Sequence, residues 1–204
     1  MASRYFMFSL LLLLPLGVAA QAELPSMDVQ IKAGIQSTEI TSYKYNGEYI
    51  TYECFNTTLH AELNWNLAYY FSIGAYYTRG IGNYPITVTD HAWSVVPFDG
   101  KSSNLNYGLK ARAALGRKPR YRPFAEVAFG KFEMYIEQNG YRLANSTTAL
   151  GLSAGLMTKL GSQFYIVFPQ ATVRLRSSPF YFESGTSPIY ELSMGLSYNI
   201  GKRL

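Results

Sequence analysis

The chain has 204 residues, enough for one domain, and a formal net charge of +5. Its basic residues form no stripe of the kind that binds nucleic acid, and its single cysteine, Cys54, excludes an internal disulfide and a cysteine-based zinc site. Charged residues make up only 15% of the sequence and aromatic residues 16%, whereas soluble domains are about 25% charged. Beyond the N-terminus no window approaches twenty apolar residues, which excludes a helical membrane protein.

Residues 1–22 have the features of a secretory signal peptide. Arg4 supplies the positive start, an almost unbroken apolar core runs from Tyr5 to Leu14, and small residues follow at 17–22. Cleavage after Ala20 and cleavage after Ala22 both fit this pattern. We therefore expect an exported mature chain, with one domain over 23–204.

The first part of the mature chain alternates apolar and polar residues. From Met27 to Ile35 every second residue is apolar, and polar or glycine residues stand between them. A period of two is typical of a strand with one apolar face. A polar segment containing Asn46 and Gly47 follows, and the alternation then returns at about 55–67 and 69–77. The second and third predicted strands thus form a hairpin with a tight turn.

The middle of the chain repeats this rhythm. A long segment at 79–103, broken by glycine and proline, leads to clean alternation at 105–115. A short basic turn at 116–120 precedes the strand predicted at 124–130. The alternation weakens at 132–136, and Asn139-Gly140 is a strong hairpin signal.

Three more strands are predicted at 150–157, 164–176 and 190–200. The first half of the second of these, Phe164 to Pro169, is apolar on both faces. The total is eight strands whose connections are alternately long and short, as in outer-membrane barrels. The pattern predicts an all-β, eight-stranded antiparallel up-and-down transmembrane β-barrel, in which the last strand pairs with the first. Both termini would then lie in the periplasm.

The distribution of charge discriminates between this barrel and a soluble eight-stranded barrel with an apolar interior. The interior of eight strands has room for few large side chains, so the small and charged faces fit inside and the broad apolar faces fit against lipid. Charges in a narrow lumen must be paired to be tolerated. The residues that we expect in a lumen charge network are His60, Glu62, Lys110, Arg112, Glu126, Arg174 and Arg176.

Two stretches carry a resemblance to a known family. They are Pro-Phe-Ala-Glu-Val-Ala-Phe-Gly at 123–130 and the last strand, which finishes Gly-Leu-Ser-Tyr-Asn-Ile-Gly-Lys-Arg-Leu. With the signal peptide and the eight strands, they resemble the small outer-membrane β-barrel proteins, in the version common in the Bacteroidetes and related in architecture to the OmpA transmembrane domain and OmpX. Such barrels often end in Phe, whereas this chain ends in Leu204. The resemblance implies a bacterial outer-membrane protein that is inserted by the outer-membrane assembly machinery.

The sequence offers little for catalysis. A lipid A deacylase needs a His-x-Ser pair, but His60 precedes Ala61-Glu62, and Ser94 follows His91 one residue too far. We expect no catalytic residues, no cofactor and no metal. The alternatives to a structural or surface-interaction role are a narrow porin-like channel for small solutes or hydrophobic ligands and, less favoured, a lipid A-modifying enzyme.

The expected partners are outer-membrane lipids, lipopolysaccharide and a surface ligand. Four long loops would present the contact surface for that ligand, at 38–54, 79–103, 132–147 and 177–188. Arg174 and Arg176 lie toward the loop end, where they could contact lipopolysaccharide phosphates. Arg122 would lie at the periplasmic surface, and Cys54 would be an unpaired surface thiol.

Overall fold

The computed structural model describes residues 26–43, 49–68, 70–82, 86–89, 95–98, 100–114, 120–138, 141–176 and 188–201. The predicted signal peptide at 1–22 lies outside these residues. Within the described ranges no helix has the length and apolarity needed to cross a membrane.

The described residues form ten strands. They are β1 (Ser26–Tyr43), β2 (Tyr49–Ala68), β3 (Phe71–Gly82), β4 (Ile86–Thr89), β5 (Val95–Phe98), β6 (Lys101–Ala114), β7 (Tyr121–Gln138), β8 (Tyr141–Lys159), β9 (Phe164–Arg176) and β10 (Ile189–Ile200). Eight of them close an antiparallel barrel, because β1 pairs with both β2 and β10. The short strands β4 and β5 form a hairpin that pairs with β2 outside this ring. The predicted barrel is therefore confirmed, with one additional hairpin.

We call the two ends of the barrel the loop end and the turn end. At the turn end lie the start of β1, the end of β10 and the short connections from β2 to β3, β6 to β7 and β8 to β9. The other connections lie at the loop end. Hydrogen-bonded partners traced once around the wall from Met27 return to Ser37 on the same strand, a stagger of ten residues (27 to 37). Such a stagger tilts the strands by roughly 35–45° and leaves a lumen just wide enough for side chains.

Buried and exposed side chains alternate along the barrel strands, with the polar side chains buried and the apolar ones exposed, the reverse of a soluble protein. Lys32 and Arg112 are only 2% and 3% exposed inside the barrel, whereas the outward-facing Leu109 is 71% exposed. Leu, Ile, Phe and Trp side chains cover the outer wall. This arrangement suits a barrel surrounded by hydrocarbon, since closure also leaves no strand edge unpaired in lipid.

Three of the four predicted long loops are largely strand. β1 and β2 stay paired as far as Tyr43 and Tyr49, and β7 and β8 as far as Gln138 and Tyr141. The prediction of loops at 38–54 and 132–147 is therefore wrong. The segment 79–103 likewise contains the end of β3, both strands of the extra hairpin and the start of β6. Alternation in sequence records a lipid-facing side, so it stops where the strands leave the membrane although the backbone pairing continues. Of the fourth predicted loop, 177–188, residues 177–187 lie outside the described residues.

A β-bulge in β9 explains its ambiguous first half. Phe168 and Pro169 both face outward, and the register shifts at this point against both β8 and β10. The bulge reverses which positions face the lumen. Tyr165 and Val167 therefore point inward before it, and Gln170 points inward after it.

Two apolar clusters lie inside the barrel, one toward each end. The loop-end cluster consists of Cys54, Phe132, Met134, Ile136, Ala149 and Ile189. The turn-end cluster consists of Ala114, Phe124, Met157, Tyr165 and Val167. Cys54 is fully buried in β2, so the prediction of a surface thiol is wrong. The two clusters border a polar middle section of the lumen.

Candidate functional site

The middle of the lumen is organised around the carboxylate of Glu62. The Nζ of Lys32 donates to its Oε1, and the Nζ of Lys110 donates to its Oε2. Nη2 of Arg112 donates to Oε2 from 3.3 Å. All four side chains are buried. One carboxylate thus holds three cations, one from β1 and two from β6.

Glu126 is the second anion of this central cluster. Arg112 stands directly opposite it on β6 and donates its Nε–H to Oε1. Lys110 Nζ donates to the same oxygen from 3.1 Å. The side-chain amide of Gln170 then joins the two halves of the cluster: its Nε2 donates to Glu126 Oε2 (3.0 Å), and its Oε1 accepts from Lys32 Nζ (2.7 Å).

Asp28 provides a third carboxylate toward the turn end. Its Oδ1 lies 3.8 Å from Arg112 Nη1 and accepts hydrogen bonds from Gln30 Nε2 (3.0 Å) and Asn64 Nδ2 (2.8 Å). Arg112 Nη2 also donates to Gln30 Oε1 (2.9 Å), and its guanidinium lies 5.0 Å from the ring centre of Phe124. Three cations therefore meet three carboxylates, which is the balance that a buried charge cluster needs.

A second charged group lies nearer the loop end. Glu191 pairs with Nη1 of Arg174 (2.5 Å) through Oε2 and with Nε2 of His60 (2.6 Å) through Oε1. The other ring nitrogen of His60 is 2.8 Å from the Thr78 hydroxyl. This connects a hydroxyl, an imidazole and a carboxylate, but Thr78 is only 1% exposed in the narrow lumen. An acyl substrate has no approach to that hydroxyl in this structure.

The structure places all the residues expected in the lumen network on inward faces. Six of them form the two groups above, and Arg176 lies further toward the loop end, 5.9 Å from the ring centre of Phe132. Arg174 and Arg176 are buried, so their suggested contact with lipopolysaccharide at the outer rim is wrong. Arg122 is also buried inside the turn end rather than lying on the periplasmic surface.

The charged residues Asp28, Lys32 and Glu191 and the linking amide of Gln170 were not in the sequence-based network. The signal was available for three of them, since they alternate with apolar residues on polar faces of the first and last strands. Gln170 was obscured by the bulge, which hides the inward parity of β9.

A small cavity with about 20 Å³ of water-accessible volume joins the two charged groups. Its lining includes Tyr76, Thr78 and Thr172 besides the charged side chains. A second cavity, also with about 20 Å³ of water-accessible volume, lies at the turn end beside Asp28, Arg122 and Asn199. Each has room for about one water molecule. Within the part of the chain that the structure describes, no three His, Cys, Asp or Glu side chains are grouped to hold a metal ion.

A family model described as "Outer membrane protein beta-barrel domain" matches residues 8–201. No curated protein sequence matches the chain. The fold of this chain resembles solved structures whose sequence identity to it is low. The Neisserial surface protein A is 14% identical, with a TM-score of 0.58 over 86% of this chain and 99% of that protein.

Two further solved structures are similar over almost their whole length. OprG from Pseudomonas aeruginosa is 11% identical, with a TM-score of 0.55 over 87% of this chain and 97% of its own. Ail, the attachment invasion locus protein of Yersinia pestis, is 11% identical, with a TM-score of 0.50 over 85% and 98%. At these identities the likeness shows the fold alone.

Proposed function

The chain belongs to the outer membrane protein beta-barrel domain family, and from that premise we propose that it is a surface-interaction and structural protein whose lumen is closed by paired charges. Residues 1–22 would be removed on export. The turn end and both termini would face the periplasm, and the loop end would face outward. Insertion by the outer-membrane assembly machinery and contact with outer-membrane lipids and lipopolysaccharide belong to the same proposal.

The observation that carries the closed lumen is the binding of three cations by Glu62. These side chains cross a lumen that is only just wide enough for them. The two apolar clusters border the charges on either side. An ion crossing the barrel would have to separate several buried ion pairs and pass both clusters, and a buried pair costs about 3–5 kcal/mol to break.

The surface role is supported by strands that continue past the barrel wall. β10 pairs with β1 only as far as Ser37, while β1 and β2 remain paired for six more residues of β1, to Tyr43. The β4–β5 hairpin extends the sheet on the other side of β2. Two of the similar structures carry names that speak of a surface protein and of attachment, in keeping with this role.

Planar-bilayer conductance of the refolded barrel tests the closed lumen. We expect no steps in the native protein and small ohmic steps in Arg112→Ala, which loses contacts to three carboxylates. Arg120→Ala is the matched control, because Arg120 is exposed at the turn end, and it should stay silent. Steady conductance in the native protein would instead support the narrow channel for small solutes or hydrophobic ligands.

Location and orientation are tested in cells. We expect the protein in the outer-membrane fraction, with migration in gels that shifts on heating, and protease cleavage of intact cells confined to the loop end. Recovery as a soluble periplasmic protein would contradict the proposal.

A further inference from the structure

Arg79 is a cation on the lipid-facing side of the wall. It lies on β3 with its side chain exposed, between the outward-facing Tyr77 and Ile81. Its cross-strand partners are Leu59 on β2 and Leu105 on β6. None of the ion pairs among the described residues includes Arg79. No described carboxylate pairs with Arg79, which leaves its guanidinium open to a counter-charge from outside the protein.

The position of Arg79 indicates where that counter-charge lies. Ile81, one step nearer the loop end, is 49% exposed, so the apolar surface continues past Arg79. Tyr77 and Tyr107 are cross-strand partners on β3 and β6, next to Arg79 on its turn-end side. Tyrosine is enriched at the interfaces between membrane and water. An outward cation is costly at the bilayer centre, by about 2–4 kcal/mol, and tolerated near the interface. Arg79 therefore sits at the level of lipid headgroups.

Lys131 is a second outward-facing cation on the same part of the outer wall. It stands opposite Tyr107 on β7, so Lys131 and Arg79 flank β6. Two strand spacings and a two-residue offset put their Cα atoms about 12 Å apart, and their long side chains can converge on one group between them. On β9, on β10 and on the parts of β1 and β8 whose side chains the structure describes (26–38, 144 and 146–159), no charged side chain faces outward with high exposure.

The carboxylate beside Lys131 is already engaged. Glu133 accepts from Lys131 Nζ at 3.0 Å through Oε1 and from the Tyr135 hydroxyl at 3.1 Å through Oε2. The ammonium of Lys131 has three donors, so two remain for a ligand. Arg79, Lys131 and Glu133 together carry one net positive charge. Further toward the loop end, Lys101 stands opposite Glu137, which has Arg142 as its partner on β8, and it lies six residues along β6 from Tyr107.

We propose that Arg79 and Lys131 bind a phosphate of lipid A, the phosphorylated glycolipid anchor of lipopolysaccharide, on the outer face of β3, β6 and β7. The guanidinium presents a planar fork of donors that matches phosphate, and the ammonium adds a point charge. The acyl chains lie against the adjoining apolar wall. The site rests on the proposed outward orientation of the loop end and is independent of whether the lumen conducts.

The test measures lipid binding to the refolded mature chain in zwitterionic detergent by native mass spectrometry. The probes are bisphosphorylated lipid A, fully dephosphorylated lipid A and phosphatidylglycerol. We expect the native chain to bind the bisphosphorylated form most tightly. Arg79→Gln and Lys131→Gln should each weaken that binding about fivefold, and the double variant roughly twenty-fold, since one basic residue near a charged membrane surface contributes about 1 kcal/mol. Glu133→Gln should tighten it.

Lys101→Gln is the matched control and should leave the affinity unchanged. Unaltered heat-modifiable migration of every variant ensures that each loss reflects the site. Equal binding of the dephosphorylated form, an unchanged double variant or an equal loss in Lys101→Gln would overturn the proposal. Equal binding of phosphatidylglycerol would overturn the assignment to lipid A. Failure of the proposed function can be distinguished from failure of this site. Fractionation outside the outer membrane would contradict the proposed function, whereas the lipid affinities are measured on the purified chain and test the site alone.

Discussion

Arg112 and Glu126 stand directly opposite each other on β6 and β7, and the Nε–H of Arg112 donates to Glu126 Oε1 inside the barrel. This pair could be anticipated from the sequence because the basic turn at 116–120 fixes the register of the hairpin. Glu62 contacts three cations, Lys32 from β1 and Lys110 and Arg112 from β6.

We expect Glu62→Gln to lower the free energy of unfolding by about 3 kcal/mol or more, because it leaves three buried cations with one carboxylate fewer. Urea titration of the barrel in lipid vesicles measures this. The control is Glu53→Gln on the same strand, where the carboxylate is exposed and the expected change is within about 0.5 kcal/mol. Equal effects of the two substitutions on the free energy of unfolding would mean that the central cluster does not stabilise the barrel.

Gly195 is required by a close approach of two strands. A Cβ at this position would lie 2.0 Å from the carbonyl oxygen of Ile31 and 2.5 Å from Lys32 Cα. Gly195→Ala should therefore destabilise the barrel by about 1–3 kcal/mol. Gly151→Ala is the control, since the nearest atom to its Cβ would be at 3.4 Å. The same urea titration should show the first variant unfolding earlier and the second unchanged.

Cys54 should react slowly with a water-soluble maleimide in the folded protein. It lies on β2 five residues nearer the loop end than Leu59, the partner of Arg79, and burial raises the pKa of its thiol to about 12. The thiolate that reacts is therefore scarce even at pH 9. Glu53→Cys in a Cys54→Ser chain places the thiol at the exposed neighbouring position and should react rapidly. Rapid labelling of native Cys54 without unfolding would contradict the buried cluster.

Neighbouring positions of β10 should report opposite environments. Met194 is 55% exposed on the outer wall and Ser193 is 3% exposed inside. In a Cys54→Ser background, a lipid-soluble maleimide should label Met194→Cys and leave Ser193→Cys unlabelled. The reverse result would mean that the barrel has its apolar faces inside.

The wall of the barrel was predictable because lipid imposes a strict alternation on each strand that it touches. Met27 to Ile35 alternates without interruption, and the structure gives it the same outward face along this whole range. The strand ends beyond the membrane were not predictable, since the pairing from Ser37 to Tyr43 depends on backbone hydrogen bonds that any residue can make.

The candidate site was predictable only in part for a similar reason. Alternation tells which side chains point inward, and so it brought His60, Glu62 and Arg112 together. It cannot show how far a long side chain reaches, as Lys32 on β1 does past β10 to Gln170 on β9. Nor does it reveal the bulge at Phe168 and Pro169. Both faces of β9 are apolar there, so the sequence shows no change in which positions face the lumen.

The pairing of β1 with β10 brings together the two strands that are furthest apart along the chain. Contacts of such sequence separation form late and slowly, because loop-closure entropy must be overcome before they contribute stability. Until they form, two strand edges remain unpaired, and hydrocarbon penalises each free N–H and C=O. We therefore expect no stable half-inserted form of the chain. Its entry into lipid is expected to be all-or-none, with the C-terminal strand as the step that completes it.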